Sequence, residues 1–111
     1  MARYNWHPAA AYDYLGAVLV ATADDGAVIR LHLDDFGDEV QAAFVIETEP
    51  GRFITTEDTE CWPAVERYLP REEWPEEMQV GQHGPCERTP DPAVTRAIDA
   101  YRRMILDALD D

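Results

Sequence analysis

Residues 27–48 read AVIRLHLDDFGDEVQAAFVIET, and this stretch decides the fold. Apolar side chains occupy every second position on both sides of a turn at 35–38: Ile29, Leu31, Leu33, Val40, Ala42, Phe44 and Ile46. Successive side chains of a strand point to opposite faces of a sheet, so this spacing predicts two strands, at 27–34 and 39–48, with one buried face. A connection this short joins antiparallel strands, because parallel strands need long crossovers.

Further strand patterns lie on either side of this pair. Residues 14–23 are rich in strand-forming residues and are followed by an Asp-Gly turn at 24–26. A Pro-Gly turn at 49–51 leads into a short strand at 52–55. Residues 1–13 predict either a short helical turn that begins at Pro8 or an irregular lead-in. We therefore expect a three- or four-stranded antiparallel β-meander.

The second half of the chain has helical spacing. Trp62, Val65 and Leu69 predict a short middle helix over 59–69. Residues 70–79 predict one or two further helical turns, which Pro75 interrupts. Gly and Pro residues predict a loop over 80–90. Asp91 is a suitable N-cap for a C-terminal helix whose apolar stripe covers the meander: Val94, Ala97, Ile98, Tyr101, Ile105, Ala108 and Leu109. The fold class is thus α+β, in one domain spanning residues 1–111.

The charge balance is the unusual feature of the composition. The chain has 23 acidic residues against nine basic residues, all of them Arg, for a formal net charge of −14. Direct binding to nucleic acid or to an anionic membrane is disfavoured, because both need a basic surface. A basic protein partner would be attracted. Alternatively, the acidity reflects a high-salt or GC-rich source and serves only solubility.

No apolar run reaches the length of about 20 residues that a membrane span needs. The first residues lack the apolar segment of a secretory signal, so we expect a cytoplasmic protein. The two cysteines, Cys61 and Cys86, are too few for a disulfide framework and are expected to be reduced thiols.

Candidate catalytic and metal-binding patterns are weak. His83 and Cys86 are three residues apart, and Cys61 is a third candidate ligand, but a structural zinc site usually has four ligands. There is no phosphate-binding glycine loop and no Gly-x-Ser-x-Gly elbow. We therefore expect no enzyme, no cofactor and no bound metal. A metal or thiol enzyme that uses Cys61, His83 and Cys86 is kept as a weaker alternative.

The distribution of acidic residues is what remains to suggest a function. Carboxylates on a rigid scaffold imitate phosphates for a protein that normally grips nucleic acid. The predicted function is a non-enzymatic inhibitor that neutralises a basic nuclease or nucleic-acid-binding protein. Anti-CRISPR proteins and toxin-immunity proteins are similar in size and charge, which is a likeness of composition only. The partner-binding residues are predicted in three blocks, at 34–39, 47–60 and 72–77: Asp34, Asp35, Asp38, Glu39, Glu47, Glu49, Glu57, Asp58, Glu60, Glu72, Glu73, Trp74, Glu76 and Glu77.

The alternative function is a housekeeping protein-interaction module whose acidity is incidental. Its partner surface would be apolar, around Trp6, Trp62 and Trp74. Salt dependence separates the two hypotheses, because a contact between opposite charges weakens as salt screens them.

Overall fold

Five antiparallel strands follow one another across a single sheet in chain order. The computed structural model describes residues 4–9, 17–36, 39–78 and 89–109. The strands are β1 (His7–Pro8), β2 (Ala17–Thr22), β3 (Val28–Phe36), β4 (Glu39–Glu49) and β5 (Arg52–Thr55). The predicted α+β meander is confirmed, with five strands rather than three or four. Residues 14–16 of the predicted first strand and residues 37–38 of the predicted turn lie outside the described residues.

The additional strand is β1, at a place where the sequence predicted a helical turn or an irregular lead-in. His7 pairs with Val20 and Pro8 with Leu19, and the Ala9 N–H donates to the Val18 carbonyl at 3.0 Å. Pro8 fits this position because an edge strand leaves one row of backbone groups outside the ladder. A two-residue strand has no alternation of its own, so its pairing with β2 was not visible locally.

The alternation predicted on β3 and β4 is confirmed by burial. Ile29, Leu31, Phe44 and Ile46 are fully buried on one face of the sheet. Most of their neighbours on the other face, such as Arg30, are only half-buried, although Ala43 is buried. The core therefore lies on one side of the sheet, where the remaining elements cover it.

The middle helix is shorter than the predicted span of 59–69. A 3₁₀ turn at Thr59–Cys61 leads into α1 (Trp62–Glu66), and a second 3₁₀ turn follows at Arg71–Glu73. Trp62, Val65 and Leu69 are all buried, so their spacing was interpreted correctly even though the helix ends early. Most of the loop predicted at 80–90 lies outside the described residues.

The C-terminal helix, α2 (Pro92–Leu109), begins where the sequence predicts it. The Asp91 Oδ1 accepts a hydrogen bond from the Ala93 N–H at 2.8 Å, which is the N-cap interaction. Val94 and Ile98 are buried in the core formed with the sheet. Among the described residues, no helix is both long enough and apolar enough to span a membrane.

Candidate functional site: the acidic edge

The outer edge of β4 continues beyond the end of β5 and is closed by two other segments. Thr56 and Phe44 exchange two hydrogen bonds of 3.1 Å, from the Thr56 N–H to the Phe44 carbonyl and from the Phe44 N–H to the Thr56 Oγ1. Two residues before Phe44 on β4, the Ala42 N–H donates to the Glu77 carbonyl at 3.2 Å. Since alternate residues of a strand direct their N–H groups to the same edge, residues 56 and 77 lie on the edge that β5 occupies.

This arrangement brings parts of all three acidic blocks to one edge of the sheet. β4 has 11 residues, so its ends are about 33 Å apart at the usual rise of a strand. We define the acidic edge as the exposed carboxylates at the two ends of β4 and in the segments beside it: Glu39, Glu49, Glu57, Asp58, Glu60 and Glu76.

The remaining predicted residues are placed less favourably for such a surface. Asp34 is exposed on β3, opposite Gln41, and lies one strand inward from the edge. The backbone of Asp35 pairs with Val40, and Asp38 lies outside the described residues. The acidic blocks thus extend along the sheet from one end to the other and do not gather into one compact cluster.

The other predicted carboxylates of the third block lie on the segment after α1. Glu72 is exposed on the second 3₁₀ turn, and Glu73 beside it is half-buried. The Glu72 carbonyl accepts a hydrogen bond from the Thr89 N–H at 2.8 Å, which ties this turn to the approach of α2.

Two predicted partner-binding carboxylates are occupied by internal ion pairs. Glu47 is 3.3 Å from Arg30, with both side chains largely buried, and its Oε2 also accepts the Gly51 N–H. Glu77 is 2.7 Å from Arg102 of α2. A carboxylate held by an arginine in this way is not available to a partner's cation, so Glu47 and Glu77 are assigned to the scaffold. Glu49 differs from these two carboxylates. It is exposed, and its contact with the equally exposed Arg52 is long, at 3.9 Å.

Trp74 was predicted on the partner-binding surface, and this prediction is wrong. Its side chain is 0% exposed, and its Nε1 donates to the Leu69 carbonyl at 2.8 Å. It packs edge-on against Trp62, with ring centroids 5.7 Å apart. The flanking glutamates had suggested a surface segment, but the indole supplies far more apolar area to bury than its neighbours do.

The apolar surface proposed for the interaction module is not present at the three tryptophans. Trp62 is buried, and its Nε1 donates to the Thr56 carbonyl at 2.7 Å. Trp6 is half-buried and stacks on Phe44, with ring centroids 6.0 Å apart. All three rings therefore serve the core.

A cluster around Arg71 was missed by the sequence analysis. The guanidinium carbon of Arg71 lies 5.0 Å from the centroid of the Trp62 ring and 5.7 Å from that of Trp74. Arg71 also forms an ion pair with Glu66 of α1. The Arg71 cluster, made of these four residues, connects α1 to residues 71–77, which we call the acidic segment. Its only sequence signal is an Arg three residues before a Trp, which is too common to be diagnostic.

A cavity of about 200 Å³ lies between the acidic segment and α2. It is lined by Pro75, Glu76, Glu77, Pro90, Thr95, Ile98 and Asp99. Two of the lining carboxylates, Glu77 and Asp99, form ion pairs with the same cation, Arg102.

At the opposite end of the sheet, one carboxylate has an altered acidity. The Tyr68 hydroxyl donates to Asp25 at 2.7 Å, and this bond lowers the pKa of the Asp25 carboxyl with help from the Ala27 N–H. The same bond raises the pKa of the Tyr68 hydroxyl, since ionisation would place two negative charges together. The pair joins the β2–β3 turn to the chain after α1.

Of the three residues on which the thiol and metal alternative depends, the structure describes Cys61. Cys61 is half-buried, while His83 and Cys86 lie outside the described residues. Within the described ranges, no group of three or more His, Cys, Asp or Glu side chains is arranged to hold a metal ion.

Fold and site together define a small α+β protein with an acidic sheet edge. Comparison of the chain with protein-family models found no match, and comparisons with curated proteins and with solved structures found none either. A function for this protein therefore has to be argued from the acidic edge itself.

Proposed function

We propose that this protein is a non-enzymatic inhibitor that binds a basic nuclease or another basic nucleic-acid-binding protein by imitating the phosphates of nucleic acid. The observation that supports the proposal is the acidic edge, in which exposed carboxylates lie at the ends of β4 and beside it, over a length of about 33 Å. The proposal includes a cytoplasmic location.

The length of the edge suits this role. A turn of B-DNA spans about 34–36 Å, so the acidic edge is comparable to one helical turn. A protein that grips such a turn presents Arg and Lys side chains to phosphate oxygens, and the same side chains form charge-assisted hydrogen bonds with carboxylates. The net charge of −14 adds long-range attraction to a basic partner and accelerates the encounter.

The scaffold beneath the edge also supports the proposal. The segments that carry the edge are fixed to β4 through the backbone of Thr56 and Glu77. The Asp58 side chain accepts the Glu60 N–H at 3.0 Å and so fixes the turn that presents Glu57 and Glu60. A charged surface that is ordered before binding loses little conformational entropy when the partner arrives.

The first experiment is a pull-down from the native host with the protein as bait, in low and in high sodium chloride. The expected result is capture of a basic protein at about 50 mM salt and release well below 1 M, because exposed ion pairs are screened over a few ångströms at molar ionic strength. Capture of a partner that is held equally well in molar salt would contradict phosphate mimicry and favour the interaction module.

A second experiment locates the contact with charge-matched variants. Glu57→Gln with Glu60→Gln removes two charges from the acidic edge, while Asp24→Asn with Asp107→Asn removes two exposed charges elsewhere. The edge variant is expected to bind the captured partner about tenfold more weakly than the control variant, since neutralising a contact costs more than lowering the net charge. Equal weakening by both variants would show that the edge is not the contact.

A further inference from the structure

The acidic segment at 71–77 has little regular structure of its own. It contains one 3₁₀ turn at Arg71–Glu73 and then continues without a helix to Met78. Trp74 and Met78 point into the core and are buried, and the Glu77 carbonyl holds the far end of the segment to β4. These contacts fix the middle and the end of the segment. At its beginning the Glu72 carbonyl is held by the Thr89 N–H, and a further contact, made by side chains, adds to that hydrogen bond.

The Arg71 cluster supplies that contact. The guanidinium faces two indole rings, at 5.0 Å from Trp62 and 5.7 Å from Trp74, and at the same time pairs with Glu66 of α1. A planar guanidinium can stack on aromatic faces and bind a carboxylate in one conformation, which a lysine ammonium does less well. Both charged side chains of the pair are about one third exposed, so the cluster lies at the surface beside the acidic residues.

We infer that Arg71 is the positioning residue of the acidic segment: through Trp62, Trp74 and Glu66 it fixes the 3₁₀ turn that presents Glu72 and leads to Glu76. The inference rests on the proposed function for its relevance to binding, although its structural part stands separately. Arg71 contributes a positive charge to an anionic surface, so charge alone would make it unfavourable for binding a cation. Its favourable contribution is the order that it gives to its neighbours.

Amide hydrogen exchange tests the structural part without any partner. In Arg71→Ala and in Arg71→Lys, the Glu73 and Trp74 amides, which donate to the Pro70 and Arg71 carbonyls, are expected to exchange about tenfold faster, because a local opening no longer breaks the contacts of the guanidinium. The matched control is Arg67→Ala, which removes an exposed arginine at the C-cap of α1 and leaves the cluster intact. Unchanged exchange in both Arg71 variants would overturn the inference, and Arg71→Lys keeps the test valid if the alanine variant does not fold.

The direction of a binding change tests the functional part. The probe is a fluorescent oligoarginine peptide, titrated at about 50 mM salt, where charge interactions reach roughly 14 Å. Arg71→Ala and Arg67→Ala make the protein equally more negative, so electrostatics alone predicts equally tighter binding for both. Positioning predicts that Arg71→Ala binds about threefold more weakly than Arg67→Ala, and that Arg71→Lys, with its charge unchanged, binds more weakly than the wild type.

The outcomes separate the two hypotheses. Faster exchange together with weaker peptide binding supports the positioning role and the proposed surface. Faster exchange in the Arg71 variants, combined with a wild-type protein that fails to bind the peptide, supports Arg71 as an organiser of the segment and contradicts the proposed function. Identical binding by the Arg71→Ala and Arg67→Ala variants overturns the positioning role while leaving the acidic edge intact.

Discussion

Thr56 forms hydrogen bonds with β4 immediately beyond the end of β5. Its Oγ1 accepts the Phe44 N–H, its own N–H donates to the Phe44 carbonyl, and its carbonyl accepts the Trp62 indole. The residue is buried, so each of these groups depends on its partner. Thr56 therefore connects three parts of the protein: the sheet, the turn that carries Glu57 and Glu60, and the packed pair of Trp62 and Trp74.

Replacing Thr56 tests this role. Thr56→Val keeps the shape but removes the acceptor, which leaves the buried Phe44 N–H without its partner and is expected to cost about 1–3 kcal/mol. Thr56→Ser keeps the hydroxyl and loses only a methyl group, for a cost of about 1 kcal/mol or less. Urea unfolding of the three proteins measures the difference. A serine variant as unstable as the valine variant would mean that packing, and not the hydrogen bond, holds this position.

The Tyr68–Asp25 bond predicts a pH dependence at the other end of the sheet. The folded-state pKa of Asp25 is depressed, so its contribution to stability is present above the unfolded pKa and is lost as the pH falls through the folded pKa. In Tyr68→Phe the Asp25 pKa is expected to rise toward its ordinary value. A carboxyl NMR titration measures this shift. Tyr4→Phe is the control, because the Tyr4 hydroxyl donates to the Tyr68 carbonyl and not to Asp25. An unchanged Asp25 titration in Tyr68→Phe would assign the depression to the Ala27 N–H.

Single residues were predictable where a local pattern decides their environment. The alternation on β3 placed Leu31 in the core correctly, and the Asp-Pro pair at 91–92 marked the start of α2. Trp74 was assigned to the surface because four glutamates surround it in sequence. Its burial depends on Trp62, twelve residues away, and such a contact leaves no local periodicity.

At the scale of elements, α2 has one end in the core and one end at the surface. Ile98 is 2% exposed, Ile105 about two turns later on the same stripe is half-buried, and Met104, which lies off the stripe, is 66% exposed. Ala108 lies on the stripe predicted to be buried, and it is exposed. The core covers the predicted stripe fully at Ile98, partly at Tyr101 and Ile105, and no longer at Ala108. How far an apolar stripe is covered depends on the width of the surface beneath it, which the helix sequence does not contain.

This difference along α2 predicts unequal costs of truncation. Ile98→Ala is expected to destabilise the protein by about 2–4 kcal/mol, because it opens a cavity against the sheet. Met104→Ala is expected to change stability by less than about 0.5 kcal/mol, since an exposed side chain leaves no cavity. Chemical denaturation of both variants provides the comparison. A large loss in Met104→Ala would show that the end of the helix is covered in solution.

The beginning of α2 makes a further prediction. The Asp91 carboxylate is buried, with Oδ1 bonded to the Ala93 N–H and Oδ2 without a hydrogen-bond partner among the residues that the structure describes. Asp91→Ala loses the cap and is expected to cost about 1 kcal/mol. Asp91→Asn keeps an acceptor for the cap and removes a buried charge, so its stability in urea unfolding is expected to equal or exceed that of the wild type. An asparagine variant as unstable as the alanine variant would show that the negative charge itself stabilises the helix start.

At the scale of the whole molecule, the position of the acidic residues was less predictable than the fold. The sequence located three acidic blocks, yet Glu39 and Glu49 lie at opposite ends of the same strand. The blocks share an edge only because Thr56 and Glu77 attach to β4 across large sequence separations. The ion pairs of Glu47 and Glu77 likewise join distant segments. Charge was thus countable from the sequence, whereas its arrangement required the tertiary structure.

The net charge finally determines how salt acts on the folded protein. Salt weakens the Arg30–Glu47 and Arg102–Glu77 pairs, but it also screens the repulsion among 23 acidic side chains opposed by only nine arginines. The repulsion is expected to dominate, so that raising sodium chloride from about 20 to 300 mM at neutral pH stabilises the fold by about 1 kcal/mol, a rise of about 4 °C in Tm for a domain of this size. Calorimetry at both salt concentrations measures the change. The same comparison near pH 4 is the control, because many carboxylates are then protonated and the gain should shrink. A gain of equal size at both pH values would trace the stabilisation to a general salt effect on burial instead of to the acidic surface.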